Sequence, residues 1–419
     1  MVKLLILADD FTGAFDTGIQ FASRGAATTV VTKPEYDFAL VEQSAEVLVM
    51  VTETRHLPPQ EAYKVVYRTA RRALQTGIAY IYAKTDSALR GNVGSELAAL
   101  MEAAGISSIP FLPALPKLNR VTRAGVHYID GVPVAQSVFG QDPFEPVLDS
   151  AVADILGRQT AVPAVVHPKS AQNAIIQPGI QIFDAETDQD LRRIGEGLGL
   201  EQLRFCAGCS GFAAVLADLL HLEGEIPRLP NLEETLFVAC GSVNPVSVRQ
   251  MKVAEERGFP RVHLTPAQKL EKTWVSSALA GEYVRQWVAQ ATAQKRFILD
   301  VNGPAGHEDT DLYAQSLGLT MEQLRVQVSN NLAALIKQML DNGLKATLLC
   351  TGGDTLLALM QAVGVWELTP ICEMATGVVL TKFIYNQKTY HIISKSGGFG
   401  SPTLLLELAE ALSRKPETL

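Results

Sequence analysis

The sequence predicts an α/β protein of two domains, each built on a mainly parallel sheet flanked by helices. Three observations predict it. Short apolar runs rich in β-branched residues recur along the chain, each cut off by polar or glycine-containing residues and followed by a stretch with helical spacing. That pattern restarts after Leu222 to Glu233, which holds Pro227, Pro230, Glu223 and Glu225 but few large apolar residues in phase. The 419 residues also exceed what one ordinary core takes. The expected domains are 1–225 and 226–419.

Composition narrows the function. Apolar content of 47% with 19% charged residues is ordinary for a globular enzyme. A formal net charge of −8 argues against broad nucleic-acid or membrane-surface binding, which rely on dense Lys/Arg patches, so an anionic ligand must meet local cations. Five cysteines suggest free thiols in a reducing compartment. Cys206-x-x-Cys209 has metal-pair spacing but no companion pair, and reads first as two small buried residues. The apolar start, Met1 to Ala8, is too short for a signal peptide and no stretch is long enough to span a bilayer, so cytoplasm is the expected compartment.

In chain order, Leu4 to Ala8 reads as a strand, Asp9 to Ala14 as a loop and Phe15 to Ser23 as a helix. Strands follow at Thr28–Val31 and Val47–Val51, the latter ending in Thr52-Glu53-Thr54-Arg55-His56, then a helix over Pro59 to Thr76. Ile78 to Ala83 is a strand that opens into Lys84-Thr85-Asp86-Ser87-Ala88-Leu89-Arg90-Gly91-Asn92, with a helix over Val93 to Ala104. Strand ends therefore carry Asp9 and Asp10, Arg55, and Lys84 with Asp86 to one sheet edge, where open α/β sheets bind ligands. Ile109 to Ala114 is a further strand. Pro116 to Pro146 shows neither helical nor strand periodicity and reads as an ordered excursion containing Arg120, Arg123 and Gln136, either covering a site or merely packing. Strands at Ala164–His167 and Ile180–Phe183 and helices near Asp190–Leu198 and from Ser210 complete the first half.

The second half restarts with a strand at Leu236–Cys240, ended by Gly241-Ser242, and a helix from Val246. Arg261–Leu264 and Phe297–Val301 are strands and Leu324 to Leu340 a helix. Thr347–Cys350 is a strand ending in Thr351-Gly352-Gly353-Asp354-Thr355, and Tyr390 to Ser394 a strand running into Lys395-Ser396-Gly397-Gly398. Glycines let backbone N–H groups approach phosphates, and hydroxyls and helix N-termini favour anions. One such loop is plain turn chemistry; three on corresponding edges point to a nucleotide-phosphate site.

The Walker P-loop, the opening Gly-x-Gly-x-x-Gly and the protein-kinase constellation are all absent from the sequence. In the first half, Asp9 and Asp10 suit a substrate hydroxyl or a metal, and Arg55 a carboxylate. Lys84 suits a carboxylate or developing phosphoryl charge, and Asp86 the proton of an attacking hydroxyl. The plainer readings are helix capping for Asp10 and Asp16 and surface ion pairing for Arg55 and Lys84.

Ala8 to Gly18, Lys84 to Asn92, the region around Gly131, Gly241-Ser242, Thr351 to Thr355 and Ser396 to Gly400 together resemble the four-carbon acid sugar kinase family, over nearly the whole chain. The resemblance implies an N-terminal sugar-acid-binding domain and a C-terminal nucleotide-binding domain with the active site in the cleft between them. ATP, with Mg2+, would phosphorylate the terminal hydroxyl of a four-carbon acid, D-threonate first and D-erythronate or a 3-oxo-tetronate as alternatives. It implies substrate contacts at Asp9, Asp10, Arg55, Lys84, Thr85, Asp86 and Ser87. Nucleotide contacts fall at Ser242, Gly352, Gly353, Asp354, Thr355, Gly397 and Gly398. Asp86 is the first choice of base, Asp9 the second, with Lys84 as the catalytic cation; no metal ligands are assigned. Ala88 stands where many relatives are expected to carry Thr. A nicotinamide-dependent oxidoreductase and a non-catalytic binding protein are the readings from other classes. The expected partner is a small sugar acid, with no nucleic acid or membrane; self-association is left open.

Overall fold

The computed structural model describes residues 2–41, 43–142, 145–169, 177–304, 306 and 308–413. Pro143 and Phe144 of the predicted excursion lie outside the described residues. The chain divides into two compact units, Met1–Pro227 and Arg228–Leu419.

In the first unit the strands of the main sheet are β1 (Leu4–Ala8), β2 (Thr28–Val31), β3 (Val47–Val51), β4 (Tyr80–Lys84) and β5 (Ser108–Leu112). Three short strands, β6 (Arg120–Arg123), β7 (Val126–Ile129) and β8 (Val132–Pro133), stand apart. The main sheet resumes with β9 (Ala164–His167), β10 (Gly179–Phe183) and β11 (Phe205–Gly208). The main sheet runs β2-β3-β1-β4-β11-β5-β10-β9, with every pairing parallel. Its helices are α1 (Phe11–Ala22), α2 (Pro59–Gln75), α3 (Val93–Ala104), α4 (Val152–Gly157), α5 (Asp188–Gln202) and α6 (Ser210–Leu219). α6 packs on both α1 and α5, and α2 packs on α3. Helical cover explains why β1 and β3 are buried at every position and read as continuous apolar runs without alternation. Each such side chain contributes roughly 1.5–3 kcal/mol on burial.

Connections leave β1 toward β2 on one side and β4 lies on the other, so the strand order reverses at β1/β4. Such a switch point opens a crevice at the carboxyl ends of the strands. Two sequence expectations are corrected here. The helix after β1 starts at Phe11, not Phe15, because the Asp10 side chain accepts from Gly13 N at 3.0 Å and caps it. The Pro116–Pro146 stretch contains the antiparallel sheet β6-β7-β8, whose strands of two to four residues are too short to show a period.

The second unit contains β12 (Leu236–Cys240), β13 (Arg261–His263), β14 (Arg296–Asp300), β15 (Thr347–Thr351), β16 (Glu367–Ala375), β17 (Val378–Tyr385) and β18 (Lys388–Lys395). Its helices are α7 (Pro245–Glu256), α8 (Pro266–Leu270), α9 (Lys272–Val275), α10 (Ala278–Gln294), α11 (Glu308–Ser316), α12 (Met321–Asp341), α13 (Gly353–Val363) and α14 (Leu404–Ser413). The order β13-β14-β12-β15-β18 is parallel; β17 and β16 then continue it antiparallel. β16 and β17 were not expected from the sequence. The β17–β18 hairpin turns on Asn386 and Gln387, both at positive φ (48° and 62°), without the glycine that usually marks such a turn. Among the described residues no helix is long and apolar enough to cross a membrane.

Candidate functional site

Ala8 aligns with Val51 on one side and Lys84 on the other, so the residues that follow β1 and β3 and the last residue of β4 emerge together. Arg55 Nε donates to Asp9 Oδ2 at 2.7 Å, and Lys84 Nζ donates to Asp9 Oδ1 and Asp10 Oδ1, both at 3.1 Å. Arg55 Nη2 lies 2.7 Å from Asp10 Oδ1 as an ion pair without the in-line geometry of a hydrogen bond, and 3.8 Å from Asp86 Oδ1. Asp9, Arg55, Lys84 and Asp86 are all at least 92% buried, so these are not the surface pairs that the plainer reading offered. Gly13 makes room for the arrangement: a Cβ there would sit 1.8 Å from Lys84 Nζ. Asp10 both caps α1 and pairs with Lys84.

The Asp10 carboxylate, partly exposed beside two buried cations, stays ionised. Burial alone would raise the Asp10 carboxyl, but Arg55 and Lys84 bring it down to about 2. Burial likewise opposes charge on Lys84 and Arg55, and the facing carboxylates more than compensate, so both are raised above their usual values. Thr85 N donates to Gly208 O at 2.8 Å, while its buried hydroxyl has no hydrogen-bond partner among the described residues. That is an available donor and acceptor beside the cluster.

Asp86 is differently placed. Its Oδ2 accepts from Arg90 Nε (2.8 Å) and from the backbone N–H groups of Ala88 and Arg90 (3.3 Å each), and its Oδ1 accepts from Arg90 Nη2 (3.1 Å). Burial favours the neutral form, but Arg90 and Arg55 hold the carboxyl well below its usual value. A carboxylate with its acceptor capacity filled and its basicity so reduced is a poor proton acceptor. Asp9, with one protein hydrogen bond on each oxygen, keeps lone pairs for a ligand. The geometry therefore favours Asp9 over the first-choice Asp86 as base and makes Asp86 an organiser of arginines.

Sequence reasoning missed several residues here. Arg90 also donates to Asp142 Oδ2 at 3.1 Å. The excursion supplies His127, whose Nε2 donates to Ser87 O at 2.9 Å while Nδ1 faces Thr122 Oγ1 at 3.1 Å. Burial lowers this imidazole to about 4, so it is a neutral strut holding the Lys84–Ser87 loop. The Asp-x-x-x-Arg spacing of Asp86 and Arg90 was the one readable signal.

Glu96 on α3 is 4% exposed, with Oε1 unpartnered. Burial first and Asp9 second raise its carboxyl to about 8, against a hydrogen bond from Thr54. A folded value above the unfolded 4.5 means that its contribution to stability is complete below about pH 4.5 and is lost as pH rises through about 8. Glu96→Gln is therefore expected to melt above wild type at pH 8.5, with the gap closing toward pH 4.5; calorimetric scans across that range check it, and a constant gap would refute it.

In the second unit, β12, β15 and β18 are neighbours, with Cys240 beside Thr351 and Thr351 beside Lys395. Their three loops therefore start together. Gly241 N donates to Thr351 O and Gly352 N to Lys395 O, each at 3.3 Å, and Ser247 Oγ donates to Gly397 O at 2.8 Å. Gly352 (φ +92°) precedes α13 and offers no side-chain cap, so the first N–H groups of that helix face outward, available to an anion.

Three of the expected nucleotide residues have side chains engaged by the protein, the first being Ser242, whose Oγ accepts from Asn244 N at 3.2 Å. Arg325 Nη1 donates to Asp354 Oδ2 at 2.6 Å, and Thr355 is buried with its hydroxyl against Gly241. The structure adds Lys395, which is buried with no carboxylate in ion-pair contact among the described residues. Its Nζ donates to Ser396 O (2.9 Å), Ser247 Oγ (3.1 Å) and Gly397 O (3.3 Å), and burial lowers it to about 8. It also adds Asn302, whose Nδ2 donates to Ser242 O at 3.0 Å. Both position loops whose glycines alone were legible.

Comparison with known proteins matches residues 4–216 to a sugar-binding N-terminal domain family and residues 237–405 to a nucleotide-binding C-terminal domain family. The chain is 28% identical to a D-threonate kinase of Salmonella typhimurium, covering 97% of each chain. It is 26% identical to a D-erythronate kinase of Heliobacterium modesticaldum, covering 87% of this chain and 86% of the relative. A crystal structure of a Salmonella typhimurium LT2 protein shares the fold, with TM-score 0.82 at 21% identity over 97% of this chain and 99% of the other.

Proposed function

The chain belongs to the four-carbon acid sugar kinase family, and on that premise we propose that it transfers the γ-phosphoryl group of ATP to the terminal 4-hydroxyl of D-threonate. The products are 4-phospho-D-threonate and ADP. The observation that carries the acceptor side is the buried Asp9–Asp10–Arg55–Lys84 cluster at the switch point, with the partnerless Thr85 hydroxyl beside it. D-threonate is preferred because the Salmonella D-threonate kinase is similar end to end.

Asp9 and Asp10 accept hydrogen bonds from the acid's hydroxyl groups, with Arg55 and Lys84 holding the two side chains in place. As the new O–P bond forms and the bond to ADP breaks, the hydroxyl proton passes to Asp9. In a loose phosphoryl transition state that transfer contributes modestly, and positioning and charge carry most of the barrier reduction. Lys84, a buried cation hydrogen-bonded to Asp9, offsets charge developing on the accepting hydroxyl.

On the nucleotide side, backbone N–H groups of Gly353 at the start of α13 and of the Gly397-Gly398 loop hold the phosphates, while the N–H groups of Gly241, Ser242 and Gly352 tie their loops together. Lys395 and Asn302 keep those loops in shape. Among the described residues no group of three or more His, Cys, Asp or Glu is placed to hold a metal; a Mg2+ ion arriving with ATP would be ligated mainly by phosphate and water. Such an ion would supply charge neutralisation.

The test is an ADP-release assay with Mg-ATP against D-threonate, L-threonate, D-erythronate, L-erythronate and a 3-oxo-tetronate. A kcat/KM for D-threonate at least about tenfold above the rest is expected, since stereocentres are read by a few buried hydrogen bonds. A higher value for another of these acids would reassign the substrate within the family.

A further inference from the structure

Among the described residues around the Lys84–Asn92 loop, ion pairing leaves one arginine without a carboxylate in contact. Arg55 and Lys84 are matched by Asp9 and Asp10, and Arg90 by Asp86 and Asp142. An incoming carboxylate gains little from a guanidinium already between carboxylates, and it meets repulsion from Asp9 and Asp10. Arg120, on β6, has no carboxylate within ion-pair distance among the described residues. Its Nη1 donates to Ser87 Oγ, and its guanidinium lies 5.0 Å over the Phe139 ring, which Arg90 also approaches at 5.1 Å. These contacts fix the plane of the group and leave Nε–H and Nη2–H without acceptors among the described residues. That edge of a guanidinium matches the two oxygens of a carboxylate. Burial lowers the Arg120 pKa, with Asp86 only partly offsetting it, as for a half-buried cation short of an anion.

We propose that Arg120 takes the substrate's carboxylate through Nε–H and Nη2–H, beside Ser87, and so selects acids over neutral analogues of the same shape. The assignment rests on the kinase reading above and divides that site in two. Hydroxyls go to the Asp9 and Asp10 side and the carboxylate to the arginine of the excursion. It transfers to Arg120 the role that the sequence suggested for Arg55, and gives the β6-β7-β8 excursion a function beyond packing. His127 and Ser87 tie that excursion to the Lys84 loop, so both halves of the acid are held by one continuous framework.

The test compares wild type, Arg120→Met and Arg120→Lys for kcat and KM with the best acid of the panel, for KM with ATP, and for inhibition by that acid's primary amide. Arg120→Met is expected to raise KM for the acid roughly 10- to 100-fold, the loss of one charge-assisted pairing, with the ATP KM and the amide's inhibition constant within threefold of wild type. Arg120→Lys keeps the charge without the fork and is expected to fall between. It also supplies the answer where the methionine variant shows no melting transition. Methylguanidinium in the assay should restore part of the loss in Arg120→Met. Wild-type turnover of an acid with KM unchanged in both variants would overturn this assignment and leave the kinase standing; no wild-type turnover of any acid in the panel would overturn the kinase reading and this assignment with it.

Discussion

Asp86→Asn is expected to lower turnover at least about a hundredfold while leaving the ATP KM within threefold. Asparagine keeps the size of the side chain but replaces one acceptor oxygen with a donor, which then faces the Arg90 fork. Arg90 keeps only Asp142, and Arg55 loses one of its three carboxylate neighbours. Breaking a buried pair from one side costs about 3–5 kcal/mol, because the remaining charge stays buried without its match. The arginines relax, and with them the Lys84–Arg90 loop. A displacement of about 1 Å in the acceptor site is enough for a hundredfold loss. The sign of the stability effect follows from the lowered carboxyl. The folded value lies below the unfolded 3.8, so the contribution is present above that pH and is lost as the pH falls below it. Wild type should therefore melt well above Asp86→Asn at pH 7, and the two should converge in acid. Near-normal turnover at pH 7 would remove Asp86 from the site altogether.

The frame of the site was legible because it rests on local rules. β1, β3 and β4 are runs of apolar residues that only a covered parallel strand accommodates, and each stops at the residue that begins the chemistry: Asp9, Thr52 leading to Arg55, and Lys84. Parallel alignment does the rest, since strands starting level end level. What stayed hidden depends on contacts far apart in sequence. His127 meets Ser87 across 40 positions and Arg120 meets the same residue across 33, through a sheet whose strands are too short to carry a period. Lys395 looked like part of a glycine loop, and only burial beside Ser247 shows that its ammonium holds two of that loop's carbonyls. Residue type also misled where packing decided. Thr355 has the hydroxyl a phosphate loop would use, yet it fills the space beside Gly241.

That difference between glycines filled by the protein and glycines open to a ligand yields the second large expectation. Gly398→Val should weaken ATP binding at least about a hundredfold, with the melting temperature of the ligand-free protein within a few degrees of wild type. A Cβ at Gly398 would meet nothing nearer than Asn244 Nδ2 at 3.7 Å, an ordinary contact, and the residue is not among those at positive φ. The free protein accepts the branched side chain. A phosphate drawn to the Gly397-Gly398 N–H groups does not, because the added methyl groups stand where its oxygens approach, and the charge-assisted hydrogen bonds lengthen as the overlap is relieved. Gly241→Val should behave in the opposite way. Its Cβ would lie 1.8 Å from Thr355 Oγ1 and 3.0 Å from Thr355 Cβ, so the cost falls on the protein itself and the melting temperature drops before any ligand is added. Calorimetric titration with ATP and with the sugar acid, beside a melting curve for each variant, separates the two. Unchanged ATP affinity in Gly398→Val would mean that the phosphates are held elsewhere, and equal loss of both ligands would mean that the substitution acts through folding and not through the loop's approach to phosphate.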